Sequence, residues 1–298
     1  MNRLHFLSLT CYDTGLFPAH LRRLLRGWIP NFELCRRNEM ELISSRPRNF
    51  LQSWILETQN LIVLGIRSIL NLVRPPLYLR ETFEMMDIIG VGSLSITLLT
   101  AFFTGAVLAL QTSKTLASFG ALAFTGQLVA LALVRELGPV LTAVVVAGRN
   151  GSGIASELGS MLISEQINAM RALGTDPLKK LVTPRMLAAV TMVPVLTIIC
   201  DLTGIMGGFV VSYFLLGLSP TLYLTSTYDQ LTYADLVQGL LKPPIFGFII
   251  AIVGCYCGLR THGGTQGVGR STTQSVVTSM ILIFVSDFFI TRFLLAVL

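Results

Sequence analysis

Five stretches of this chain stay free of charge for long enough to cross a lipid bilayer, and that limits its fold more than any other feature. They run from Ile88 to Ser113, Thr115 to Val134, Met186 past the single acid Asp201 to Tyr228, Pro243 to Leu259, and Ser271 to Ser286. A helix needs about 20 mostly apolar residues to cross about 30 Å of hydrocarbon. Allowing single interrupting charges, the pattern predicts spans at about 88–112, 123–147, 187–216, 239–259 and 273–296. With 52% apolar and only 13% charged residues, and a mean hydropathy of +0.69, an ordinary soluble domain is excluded.

The net charge of +6 is sorted by side of the membrane. Eleven of the 22 Lys and Arg precede residue 81 and five more lie between Arg149 and Arg185. The segment from Ser113 to Leu122 holds one Lys, and that from Gly217 to Gln238 holds only the acids Asp229 and Asp235. The positive-inside rule then predicts a cytoplasmic N-terminus, cytoplasmic loops at 149–185 and 260–272, and a C-terminus on the far side. Charge that alternates in step with the spans argues against nucleic acid as a partner.

Between the second and third spans, Arg149 to Arg185 reads RNGSGIASELGSMLISEQINAMRALGTDPLKKLVTPR. Ile154, Leu158, Met161, Leu162, Ile167, Met170 and Leu173 recur mostly at three- and four-residue steps, with Glu157, Glu165, Gln166, Asn168 and Arg171 between them. This spacing predicts an amphipathic helix. Gly174 offers its stop, and Asp176-Pro177 an N-cap and first position for a second short helix ending near Pro184. The spans are thus joined by a structured helical elbow.

Ahead of the first span, residues 1–50 read as a basic extension of weak order with no cleavable signal pattern. Phe50 to Val73 mixes Trp54, Ile62, Ile66 and Ile69 with Glu57, Asn60 and Arg67, which suits an interfacial helix. Pro75-Pro76 breaks it, and Leu77 to Asp87 forms a second short interfacial piece. The predicted class is an all-α membrane protein: interfacial helices at 51–87, then a five-span domain at 88–298.

Polar residues inside apolar spans are costly and usually face a bundle interior or a watery cavity. The sharpest case is Arg135-Glu136, followed by Gly138-Pro139, in the second span. Adjacent residues point about 100° apart on a helix, so each needs a partner elsewhere. Asp201 and Asp287 are lone acids, and either can pair with Arg135 or with Arg292. Gly204, Gly207 and Gly208 in the third span read as a close helix crossing. Cys255 and Cys257 read as small apolar filling, and no zinc or disulfide spacing is present. The loop from His262 through Gly263, Gly264 and Gly267 to Arg270 lacks the Gly-Lys-Ser/Thr ending of a phosphate loop. A flexible turn is expected there, with Ser271 or Thr272 capping the fifth helix, and no ATP-hydrolysing motif is visible.

Leu133 to Gly153 (LVRELGPVLTAVVVAGRNGSG), Glu157-Leu-Gly, Glu165-Gln-Ile-Asn-Ala-Met, Thr175-Asp-Pro, Thr183-Pro-Arg and Gly263-Gly-Thr-Gln-Gly-Val-Gly-Arg-Ser-Thr-Thr together resemble the MlaE family of lipid ABC-transporter permeases. The likeness covers about residues 75–298, and the last third resembles the cyanobacterial and plastid branch. Asn168 departs from the family, where that position is often acidic.

The resemblance implies a homodimeric permease working with a separate ATPase subunit, which binds the ATP, and a Mce-domain lipid-binding protein on the far side. The cargo it implies is a phospholipid, in a bacterial inner membrane or a plastid inner envelope. It makes the elbow a coupling helix inserted into the ATPase, with Glu157, Glu165, Gln166 and Arg171 as polar contacts and Met161 and Met170 as anchors. For the lipid it points to Arg135 and Glu136, with Phe102, Phe103, Val107, Leu110, Leu133 and Val134 as lining. No cofactor, metal site or catalytic residue is expected in this chain. An ion-coupled transporter or channel using Arg135, Glu136 and Asp201, and a non-transporting scaffold, stand as alternatives.

Overall fold

A computed structural model describes residues 50–73 and 78–297. Expectations for residues 1–49 and for the Pro75-Pro76 break lie outside the described residues. From Gln59 onward the chain forms one compact unit; of the unit before it, only residues 50–58 are described. The described residues are helical apart from short connections, and five helical stretches are long and apolar enough to cross a membrane.

Helix α1 is Phe50–Val73 and α2 is Leu79–Ser118. The second span is a composite running from Leu122 to Ile163. It comprises a 3-10 turn (Leu122–Phe124), α3 (Thr125–Ala132), a π turn (Leu133–Leu137), α4 (Gly138–Val146), a second π turn (Ala147–Gly151) and α5 (Ser152–Ile163). Then come α6 (Gln166–Ala172), a π turn (Leu178–Val182), α7 (Thr183–Phe214), α8 (Pro220–Gln230), α9 (Tyr233–Leu259) and α10 (Gly264–Val297).

The most extensive packing is α2 against α7, and it depends on glycine. A Cβ on Gly105 would sit 1.9 Å from Gly204 O, and one on Gly207 would sit 2.1 Å from Phe102 O. The backbones touch there, as small residues allow in membrane helices. The main core draws on α5, α6, α7, α9 and α10, where Leu158, Ile167, Leu196, Phe246, Ile250 and Ile283 are fully buried. Val91, Leu99, Leu202, Met206 and Phe293 face outward, the inverse of a soluble surface and the expected arrangement in lipid. On α8, the buried Tyr223 donates to Ile205 O at 3.3 Å, and burial pushes its phenol above its ordinary range.

Several boundaries differ from the sequence reading, each for a local reason. Residues 79–87 are not a separate interfacial piece; with no breaker before Ile88 they are the first turns of α2. The expected single elbow helix is two. Its first half, α5, continues the second span and is packed into the bundle through Ile154, Ala155, Leu158 and Gly159. The chain then breaks at Glu165, the one non-glycine residue with positive φ (61°) among those described. A left-handed residue costs about 1–2 kcal/mol, and the turn carries Ile167 into the core, where burial returns about 1.5–3 kcal/mol.

Gly174 (φ 78°) ends α6 as expected, with Thr175 N–H donating to Met170 O at 3.0 Å. The second elbow helix does not stop at Pro184. Pro184 sits in the first turn of α7, where its missing N–H costs nothing, so the segment from Leu178 is the start of the third span. The glycine-rich segment is not a loop either, because α10 begins at Gly264. Ser271 therefore cannot cap a helix start. It accepts from Thr261 Oγ1 at 2.9 Å, and Thr272 Oγ1 bonds back to Gly269 O.

Candidate functional site

The site begins with a backbone defect. Pro139 has no N–H, so the carbonyl of Arg135, four residues earlier, loses its helical donor. The π turn at Leu133–Leu137 closes on Leu133 O through Gly138 N–H and does not repair it. The repair comes from the fourth span: Lys242 Nζ donates to Arg135 O at 2.9 Å. Gly239, one turn earlier on α9, makes the approach possible, since a Cβ there would stand 2.2 Å from Val134 O.

Around that ammonium an ion cluster assembles. Lys242, 0% exposed, donates to Glu136 Oε2 at 2.7 Å. Asp287 Oδ1 of α10 lies 3.1 Å from the same nitrogen, an ion-pair contact without full hydrogen-bond alignment. Thr291 Oγ1 donates to the other Glu136 oxygen at 3.1 Å. Spans two, four and five are thereby tied at one point. Arg135 turns away from this group and pairs with Asp235, Nε to Oδ1 at 2.6 Å. The second Asp235 oxygen accepts from Thr232 N and Oγ1, forming the capping box that starts α9. The two cations thus face three carboxylates.

An open groove of about 590 Å³ runs along α10 beside the cluster, lined by Glu136, Asp287, Phe288, Thr291, Arg292 and Leu295 among others. Glu136 reaches both the cluster and the groove; Arg135 does not line it. Arg292 is exposed and has no ion-pair partner among the described residues.

The intramembrane acids pair differently from either option open in the sequence. Asp287 meets Lys242 instead of an arginine. Asp201 lies against Gly138 with Oδ1 buried and unpartnered, and neither Arg135 nor Arg292 bonds to it. Arg135 is committed to Asp235. Of the predicted lining, Phe103, Val107 and Leu110 form an exposed stripe on α2, and Phe102 is half-buried at the Gly207 crossing. Leu133 and Val134 are buried where α9 and α7 press on the second span, and they act as packing residues.

At the elbow, Gln166 and Arg171 are exposed on α6, and Glu165 accepts from Asn168 Nδ2. Glu157 is instead held by Arg185 of α7, with Nη2 2.8 Å from Oε2. Met161 and Met170 are half-buried against the main core, leaving Ile163 and Leu173 (83% exposed) as the open apolar points. Asn150, also unforeseen, donates to Ser93 Oγ at 2.6 Å and locks the second span to the first. Cys255 and Cys257 are buried and fill space, as expected.

Apolar spans enclosing a buried, inter-helical ion cluster define a polytopic membrane protein with a polar site inside its bundle. The profile of the family described as Permease MlaE matches residues 82–293, and the chain belongs to that family. It is 45% identical over 230 residues to a protein named probable ABC transporter permease in Rickettsia typhi, covering 77% of this chain and 89% of that one. A protein of the same name in Synechocystis is 41% identical over 243 residues, 82% of this chain and 92% of the relative. The chloroplastic protein TRIGALACTOSYLDIACYLGLYCEROL 1 of Arabidopsis thaliana is 37% identical over 231 residues, 78% of this chain and 66% of the relative.

Proposed function

We propose that this permease moves phospholipid between membranes, as two copies, driven by a separate ATPase subunit and exchanging lipid with a Mce-domain protein. The observation that carries the reading is the Glu136–Lys242–Asp287 cluster opening onto an apolar groove. An amphiphile needs such a surface, apolar along its chains and polar at one point. The plastid relative bears a glycerolipid in its name, which supports a lipid cargo. Phe103, Val107 and Leu110 offer a second apolar stripe, on α2, and Arg135 is held by Asp235 outside the groove lining.

The α5–α6 elbow is the ATPase contact in this reading, with Glu165, Gln166, Arg171 and the open Leu173 at its tip. It faces the cytoplasm with the N-terminus, and the C-terminus of α10 faces the far side. ATP is bound and hydrolysed by the partner, whose cycle shifts this subunit between states of different lipid affinity. The ion-coupled alternative has one observation in its favour, the unpartnered Asp201.

Affinity purification from the native membrane, with mass spectrometry of bound proteins and lipids, tests the reading. Recovery of an ABC ATPase, a Mce-domain protein and phospholipid is expected, with the ATPase lost on Glu165→Lys. A protein recovered alone and lipid-free, and transporting on an ion gradient without ATP, overturns it.

A further inference from the structure

We infer that Arg292 is the headgroup contact of the α10 groove, binding the phosphate of a phosphodiester lipid whose headgroup also carries a hydrogen-bond donor. The inference rests on the lipid-permease reading above. Every other basic side chain at the site is spent on a neighbour: Arg135 on Asp235, and Lys242 on Glu136 and Asp287. Arg292 is the basic side chain that lines the groove, and its donors are unclaimed by any described residue. A guanidinium offers five N–H donors in a fork matched to phosphate oxygens. Such a charge in a membrane-crossing helix calls for an acceptor, and the described residues supply none.

Position and spacing narrow the ligand. Phe288, Arg292 and Leu295 follow at i, i+4 and i+7, so the guanidinium stands in an apolar stripe along which acyl chains can lie. Glu136 and Asp287 also face this groove, and one Lys242 does not neutralise both. A doubly charged phosphomonoester would be repelled by the surplus carboxylate. A singly charged phosphodiester with an amine or hydroxyl beyond it satisfies both walls: phosphate to Arg292, donor to Glu136.

Lipid binding to the purified protein in detergent, comparing dioleoyl phosphatidylethanolamine with dioleoylglycerol, tests this directly. A charge-assisted contact predicts a preference of about ten- to a hundredfold for the phospholipid in the native protein. Arg292→Gln should bring the ratio close to one, Arg292→Lys should retain part of it, and both should melt as the native protein does. Full preference in Arg292→Gln overturns the assignment. So does loss of dimer with Arg292→Gln at unchanged lipid preference, which would place a second copy's carboxylate on Arg292. If the native protein binds neither lipid, the lipid-permease reading itself fails.

Discussion

Lys242 Nζ stands 2.9 Å from Arg135 O, a carbonyl that Pro139 strips of its α-helical donor, and the same nitrogen neutralises Glu136 and touches Asp287. A side chain of the fourth span thus completes the backbone of the second. Proline in a membrane helix is tolerated when a neighbour re-satisfies the freed group, and here that neighbour is also the site's central charge.

Lys242→Met should therefore be strongly destabilising, by roughly 3 kcal/mol, because two carboxylates and a carbonyl lose their partner together. The figure sits at the low end for a broken buried pair because the Glu136 side chain is 40% exposed. Adding Glu136→Gln and Asp287→Asn to Lys242→Met should restore most of the loss. Thermal unfolding in detergent reads both effects; equal melting of the single and triple variants would show that charge is not the issue.

The α2–α7 crossing yields a second test. Gly105→Ala must push two backbones apart and should cost about 1–3 kcal/mol. Gly148→Ala meets nothing within 4 Å and should stay within about 0.5 kcal/mol of the native protein in the same melt.

At the start of α9, Asp235 serves two partners whose shares can be separated. Thr232→Ala should cost about 1 kcal/mol as a lost cap. Asp235→Asn keeps an acceptor for the cap and removes the charge facing Arg135. Its cost should stay under about 1 kcal/mol, since the Arg135 side chain is 44% exposed. Comparative unfolding of Asp235→Asn and Asp235→Ala measures the difference.

Leu173→Asp probes the elbow tip. With the side chain in solvent, melting should shift by less than about 0.5 kcal/mol, while co-purification of the ATPase should fall at least tenfold if Leu173 is a buried anchor there. Unchanged co-purification would move the contact elsewhere.

Much of this architecture was legible in the chain itself. The five spans followed from hydropathy, a close crossing by the third span, though not its partner, from the glycines at 204 and 207, and the polar cluster from Arg135-Glu136 standing in an apolar run. Partners separated by about a hundred residues were not legible. Lys242 and Asp235 lie at the polar edge of the fourth span, where a charge needs no explanation, and only the bundle brings them to Arg135 and Glu136. The Thr232-x-x-Asp235 capping signature was a usable local signal for α9 starting earlier than hydropathy implied. The break at Glu165 had none, since the burial of Ile167 that favours it is a tertiary effect.

The second span does not end with its apolar stretch; with its π turns it continues to Ile163, beside the elbow tip. From Glu136 to Ile163 that rod is about 40 Å long at helical rise. A tilt of about 10° pivoting on the π turn at Leu133–Leu137 would carry the far end through about 7 Å. The reverse also holds: a push at the tip would reach the Lys242 cluster as a turning moment. The unbroken rod makes the chain a lever, with its fulcrum at the place where three spans share one ammonium.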